Sequence, residues 1–330
     1  MRAYIIRRVL LAIPTVFLIS LIIFFVIRLI PGSAIDALIG QMLHHGGSAI
    51  GIDRATLEHT MGLDVPIFTQ YGRWVGFLPG EDGSFSGIFQ GDWGKSLFTE
   101  IPVLEEILTR WPVTLELGLM GLIISQLIAL PIGIYSAVRQ DTWGDYIGRS
   151  FAILCIAVPG FWIATLVLVF PGIWWGYMPP ITYVSFLEDP INNLRMLIVP
   201  AIILGMALSG ATMRITRTMM LEVLRQDYIR TAWAKGLRER VVILRHTLKN
   251  ALIPVVTLIG IWVPVVIGGT VIIERIFCLP GIGSLIVHAA TLRDYPVVSG
   301  IMLFFGGVMV LTNLMVDLTY GYLDPRIRYG

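Results

Sequence analysis

The sequence predicts an all-α integral membrane protein with six transmembrane helices, and three observations carry that prediction. Of the 330 residues 56% are hydrophobic and only 14% are charged, whereas about a quarter of a soluble domain is charged. Six apolar runs each approach the roughly 20 residues that a helix needs to cross a bilayer. Basic residues crowd into alternate connections between those runs, the asymmetry of short loops kept on the cytoplasmic side. The net charge of +2 is too small to imply a nucleic-acid partner, so the lipid bilayer is the partner that composition indicates. Cys155 lies in an apolar run and Cys278 in a polar one. They offer neither a metal-ligand spacing nor a disulfide framework, and no metal or cofactor is expected on this chain.

Residues 1–30 hold an N-terminal segment and the first helix. Its charge-free run, Val9–Ile27, follows Arg2, Arg7 and Arg8. That run exceeds the roughly 7–15 apolar residues of a signal-peptide core and reads as a span, although Gly32-Ser33-Ala34 keeps a cleavage site open. Residues 31–112 form a long external loop, rich in glycine and in acids: Asp53, Glu58, Asp64, Glu81, Asp82, Asp92, Glu105 and Glu106. Trp74 and Trp93 within it suit the membrane interface, as do Trp174, Trp175 and Tyr177 in a later loop.

Residues 113–330 supply five more spans, Leu117–Val138, Phe151–Val169, Met196–Met213, Ala251–Ile273 and Val297–Val316. One set of connections holds Arg139, Arg149, the dense basic series from Arg214 to Lys249, and Arg326 with Arg328. The opposite short loops hold only Arg195, Arg275 and Arg293. Both termini and the segment 214–250 are therefore expected in the cytoplasm. Ala201, Gly205 and Ser209 recur every four residues and invite a close helix neighbour, within the chain or across a subunit interface. Gly268 and Gly269, with Pro254 and Pro264, mark the fifth span as one that can bend or pack tightly.

The polar segment 214–250 centres on Asp227–Leu237. At helical pitch Tyr228, Ile229, Ala232 and Trp233 share one arc, and Asp227, Arg230, Thr231 and Lys235 the other. Asp227 is expected as the N-cap and Gly236 as the stop. Such a helix can fill a partner's groove or lie on the bilayer. The glycines of Pro280-Gly281-Ile282-Gly283, after Glu274-Arg275-Ile276-Phe277, are expected to permit a tight turn, which is either a plain connection or a functional one.

Several chemistries are missing. Gly91–Ser96 (GDWGKS) ends like a phosphate-binding P-loop, but Phe89 stands where that loop needs glycine. Glu116 and Asp317 lie near span ends and Gln126 and Asn313 within spans, so no charge sits mid-membrane for ion coupling. Ala207-Leu208-Ser209-Gly210 lacks the first glycine of a nucleophile turn, and His246 and His288 lie outside the spans. The chain is not expected to be an enzyme.

Asp227–Gly236 with His246–Pro254 (HTLKNALIP) resembles the cytoplasmic loop of ABC importer permeases, in the dipeptide, oligopeptide and nickel branch. Gly236 and Leu248 match the general importer motif. Arg230, Thr231 and Ala232 replace its Glu-Ala-Ala and Pro254 arrives late, which suits the peptide branch. Gly62–Trp74 (GLDVPIFTQYGRW), Gly91–Ser96, Glu274–Phe277 with Pro280–Gly283, Arg293-Asp294-Tyr295-Pro296 and Asp324–Arg328 (DPRIR) resemble the same family in the same order.

The resemblance implies a type I ABC importer permease (MetI-like) fold and half of a translocation pathway in a bacterial or archaeal cytoplasmic (inner) membrane. It further implies a homologous second permease subunit, two cytoplasmic ATP-binding subunits that hydrolyse ATP, and an extracytoplasmic solute-binding protein. Peptide, nickel, glutathione and sugar-like solutes all remain open. ATPase coupling is implied for Asp227, Tyr228, Arg230, Thr231, Ala232, Trp233, Lys235, Gly236 and Leu237, with Arg230, Trp233 and Gly236 transmitting. An external gate or binding-protein contact is implied for Glu274, Phe277, Pro280, Gly281, Gly283, Asp92 and Trp93. The alternatives are a stand-alone secondary carrier or channel subunit, and a membrane scaffold or receptor.

Overall fold

The computed structural model of the chain describes residues 2–29, 35–36, 38–40, 54–60, 62–80, 83–176, 180 and 182–323, with side chains except at 2–5, 60, 267, 269 and 317–323. Gly32-Ser33-Ala34, Asp53, Glu81, Asp82, Tyr177, Asp324–Arg328 and the Asp317 side chain lie outside the described residues. Among the described residues there is no strand, only an isolated bridge between Lys95 and Pro102.

The helices run α1 Arg2–Arg28, α2 Arg54–Thr60, α3 Ile67–Val75, α4 Val103–Val138, α5 Trp143–Ala157, α6 Gly160–Trp175, α7 Pro190–Leu224, α8 Asp227–Ala234, α9 Leu248–Ile276, α10 Ile282–Leu292 and α11 Tyr295–Leu323. Their ends follow local chemistry. The Asp189 carboxylate accepts from the Ile191 and Asn192 amides at 3.1 Å, and Pro190 opens α7 where a missing N–H costs nothing. Gly176, at φ +62, closes α6 in the left-handed conformation that glycine adopts freely.

Five of the six expected spans fall inside long apolar helices. The third, Phe151–Val169, is corrected: α5 and α6 meet at an angle of 89° across Val158-Pro159. Proline forces the residue before it out of the helical region, and Val158 is extended at φ −87, ψ 122. The apolar run continues unbroken through the bend, so hydropathy alone conceals it.

The chain divides into two compact units, residues 1–112 with 284–330 and residues 113–283, and the division passes through α4 and α10. In the first unit α1 lies against α11, where a Cβ on Gly306 would stand 2.8 Å from Ile19. Helix α3 folds onto α1 through Phe24, Tyr71 and Val75. The Ser20 and Tyr71 hydroxyls stand 2.9 Å apart, and Arg28 donates to Gln70 at 2.7 and 3.1 Å. This packing accounts for the aromatics of the Gly62–Trp74 stretch, since Trp74 lies with its ring 5.5 Å from that of Phe24.

In the second unit α7 is the central post. Ala201, Leu204 and Leu208 join Val113, Leu117, Val266 and Ile273 in one apolar core. A Cβ on Gly205 would lie 2.9 Å from the Gly121 carbonyl, so these two glycines let α4 and α7 approach closely. The repeat at Ala201, Gly205 and Ser209 thus serves packing within this chain. At Gly268 nothing among the described residues lies within 4 Å of a Cβ placed there. Glu116 accepts from the Tyr183 hydroxyl and from Asn193, both at 3.1 Å, which pairs this carboxylate near the start of its span.

Candidate functional site

The second unit carries candidate residues at two places, α8 and the turn after α9. Helix α8 starts one residue earlier than the sequence suggests. Gln226 is the capping position, its side chain makes no cap bond, and Asp227 sits inside the first turn. The Asp227 carboxylate instead reaches Arg230 at 3.6 Å while nearly fully exposed. Its negative charge still favours that helix end.

The apolar arc is real but only its middle is covered. At about 100° per residue, Ala232 and Ile229 form the centre and Tyr228 and Trp233 the edges. Ile229 and Ala232 are buried against Val242, Val223 and Leu224. That support is narrow, and Tyr228 and Trp233 remain 44% and 43% exposed, with Leu237 close by and also exposed. The Tyr228 hydroxyl accepts from Asn250 Nδ2 at 2.8 Å, tying the helix to the start of α9.

Gly236 ends the helix as expected. At φ +73 it donates its N–H to Trp233 O at 2.9 Å while the Leu237 amide reaches Ala232 O at 3.4 Å, the paired bonds of a Schellman stop. Arg230, Thr231 and Lys235 face outward. Between α8 and α9 the backbone passes through a short helical stretch, Glu239–Val241, and a π-helical one, Val242–Thr247. The Thr247 hydroxyl donates to Val242 O at 3.1 Å there. Sequence periodicity gave no sign of this wider coil, a feature often found at functional positions.

The turn after α9 is built around a buried carboxylate. Glu274 is fully buried and accepts from Thr114 Oγ1 at 2.8 Å, and Thr114 Oγ1 in turn accepts the Ile282 amide at 2.9 Å. The expected reason for the glycines is corrected by the backbone. Cys278, at φ 53, takes the left-handed position, whereas Gly281 and Gly283 have ordinary angles. They are small because a Cβ on Gly281 would stand 2.3 Å from the Glu274 carboxylate, and one on Gly283 2.6 Å from Val271 Cα. Phe277 and Leu279 are buried in the main apolar core and Pro280 is half-buried.

Asp92 and Trp93 belong to the first unit. Asp92 accepts from the Ser86 hydroxyl and from the Gly94 amide, bonds that hold its carboxyl below the usual carboxylate range. Trp93 is half-buried, and its ring would stand 3.7 Å from a Cβ on Gly300. The residues after it form a loop closed on α11 rather than a nucleotide cradle. Ser96 Oγ donates to Asp294 Oδ2 at 2.5 Å and the Leu97 amide to Oδ1 at 3.3 Å. Burial pushes the Asp294 carboxyl up in spite of these donors.

Residues 129–329 match the model of the family described as binding-protein-dependent transport system inner membrane component, and residues 1–118 match the model of its N-terminal part. A putative peptide transport system permease protein of Brucella abortus (strain 2308) is 39% identical over 329 residues, all of both chains. The dipeptide transport system permease protein of Alkalihalophilus pseudofirmus is 37% identical, again over all of both chains. That of Escherichia coli (strain K12) is 35% identical, over 100% of this chain and 99% of the relative. A crystal structure of an amino acid ABC transporter with histidines aligns with TM-score 0.50 at 12% identity, over 68% of this chain and 94% of that one. At that identity the likeness bears on the fold.

Proposed function

Because the chain belongs to the family of binding-protein-dependent transport system inner membrane components, we propose that it is a permease subunit of an ATP-driven peptide importer, coupled to its ATPases through α8. Peptide is the solute class in the names of its full-length relatives. In this reading the chain pairs with a homologous permease in a bacterial or archaeal inner membrane. Two ATP-binding subunits dock on the cytoplasmic side, which also holds both termini, and a solute-binding protein docks on residues 31–112 outside.

The observation that carries the proposal is the form of α8. Two buried side chains anchor it, while Tyr228, Trp233 and Leu237 stand open beside Arg230 and Lys235. Exposed aromatics next to a cation suit the centre of a protein interface. A bilayer surface explains the aromatics less well, because Tyr228 spends its hydroxyl on Asn250.

The transmission follows from what α8 touches. A push on it reaches α9 through the Tyr228–Asn250 bond and the π-helical stretch. Helix α9 is 29 residues long, about 43 Å at 1.5 Å per residue. Its far end carries Glu274, held by Thr114 of α4. Movement of α9 thereby acts on the external turn as a gate, and alternating access follows from closing and opening the ATPases.

Gly236→Pro tests the coupling. Proline fixes φ near −65° and has no N–H to give to Trp233 O, so the stop is lost while the buried anchor stays. The expected outcome is an assembled complex whose ATP hydrolysis no longer rises with peptide and binding protein. Unchanged stimulation would remove the assignment.

A further inference from the structure

Between α4, α5 and α7 the second unit holds a cavity of about 330 Å³, within the range of small-ligand sites at about 300–1,000 Å³. Its walls are apolar at Ile132, Ala152, Ile153 and Met213, yet Arg149, Arg214 and Arg217 also line it. We propose that this cavity binds the head of an anionic phospholipid. Arg149 and Arg214 hold the phosphate, and an acyl chain leaves over the exposed Ile153 and Ile156 of α5.

The three guanidiniums are unequally engaged. Arg217 donates from Nε and Nη2 to Asp145 at 2.8 and 2.7 Å and braces α5 against α7. Arg149 only grazes the same carboxylate at 3.5 Å and lies 4.5 Å over the Tyr146 ring. Arg214 has no carboxylate partner among the described residues. Three guanidiniums and, among the described residues, no carboxylate line the cavity, and Asp145 engages chiefly Arg217, so an added anion is favoured.

A second observation points into the same space. Ser136 lines the cavity, is 2% exposed, and its hydroxyl has no hydrogen-bond partner among the described residues. Buried polar groups are rarely left so, and a phosphate or glycerol oxygen would satisfy it.

Depth agrees with the assignment. Helix α7 has 35 residues, about 52 Å of helix, against a hydrocarbon core of about 30 Å. Its last turns, from Arg214 onward, therefore emerge among the headgroups. Basic pockets between membrane helices at that level recognise anionic lipid heads, and the apolar wall suits the glycerol and first methylenes better than a free ion.

The test is native mass spectrometry of the full-length chain, purified with its co-expressed subunits and supplied with dioleoylphosphatidylglycerol, dioleoylphosphatidylcholine or glycerol 3-phosphate. The expected result is retention of phosphatidylglycerol over phosphatidylcholine by about tenfold or more. Arg149→Gln with Arg214→Gln should abolish that preference and the matching pair of lysine substitutions should keep most of it. Ile153→Trp, which blocks the mouth and leaves each charge in place, should also abolish it. Equal retention of both lipids by the unaltered chain would overturn the proposal, as would a preference surviving either the glutamine pair or Ile153→Trp. Displacement by glycerol 3-phosphate would identify a soluble anion site instead. A preference seen only after the other subunits are stripped away would identify a protein as the occupant.

Discussion

The two ends of α9 are held in opposite ways. At Glu274 the chain is closed: a fully buried carboxylate, a threonine hydroxyl from α4 and two glycines leave no room for another atom. At Asn250 it is open, since α8 rests on Ile229 and Ala232 and is steadied by one exposed hydrogen bond. A side chain buried on all sides has its geometry fixed by the chain itself, whereas a helix with half its apolar arc uncovered leaves surface on which a partner can dock. In the proposed reading the soft end is the input and the stiff end the output.

The largest effect should come from crowding the stiff end. Gly283→Ala places a methyl 2.6 Å from backbone at Val271, and overpacking of this kind costs about 1–3 kcal/mol. Gly236→Ala meets open space and suffers only the strain of φ +73, about 1–2 kcal/mol. Thermal unfolding of the two variants in detergent should therefore rank Gly283→Ala as the less stable. The reverse order would erase the contrast between the ends.

A smaller effect is expected from Tyr228→Phe, which removes one exposed hydrogen bond worth about 0.5–1.5 kcal/mol. Unfolding should hardly change, yet peptide-stimulated ATP hydrolysis should fall several-fold, because the bond is the shortest link from α8 to α9. Equal coupling in the variant would leave the π-helical stretch as the sole link.

The comparison shows what a linear reading reaches. The spans were legible because apolar runs need no partner to be recognised, and Gly236 because a helix stop is written locally. The bend at Val158-Pro159 was present in the letters but masked by hydropathy. Tyr228 and Trp233 were placed on the correct arc. How much of that arc is covered depends on Val242, which lies beyond the helix stop. Gly281 and Gly283 were assigned to a turn because the carboxylate they accommodate, Glu274, meets them only after the chain folds back. Asp145 and Arg217 were missed as a pair for the same reason, being 72 residues apart with α6 between their helices.

The smallest effect concerns the first unit, where Asp294 offers a second buried carboxyl. Burial raises it above its unfolded value, which is about 3.9, so within that window the folded chain holds more protons than the unfolded one. Stability should then decline as pH rises from the unfolded value through the folded one, and level off above it. Asp294→Asn keeps an oxygen for Ser96 and should remove the decline. Unfolding temperatures measured between about pH 4 and 7 test this, and a stability that rises over that window in the unaltered chain, but not in the variant, would reverse the sign.

The direct test of the proposed input end is a single cysteine at Trp233 in a chain whose own Cys155 and Cys278 have been replaced by alanine and serine. In sealed vesicles carrying the assembled importer, that cysteine should crosslink to an ATP-binding subunit, with a yield that changes when ATP is bound. It should stay unlabelled by impermeant maleimide added outside. Labelling from outside, or crosslinks to lipid alone, would contradict the role of α8.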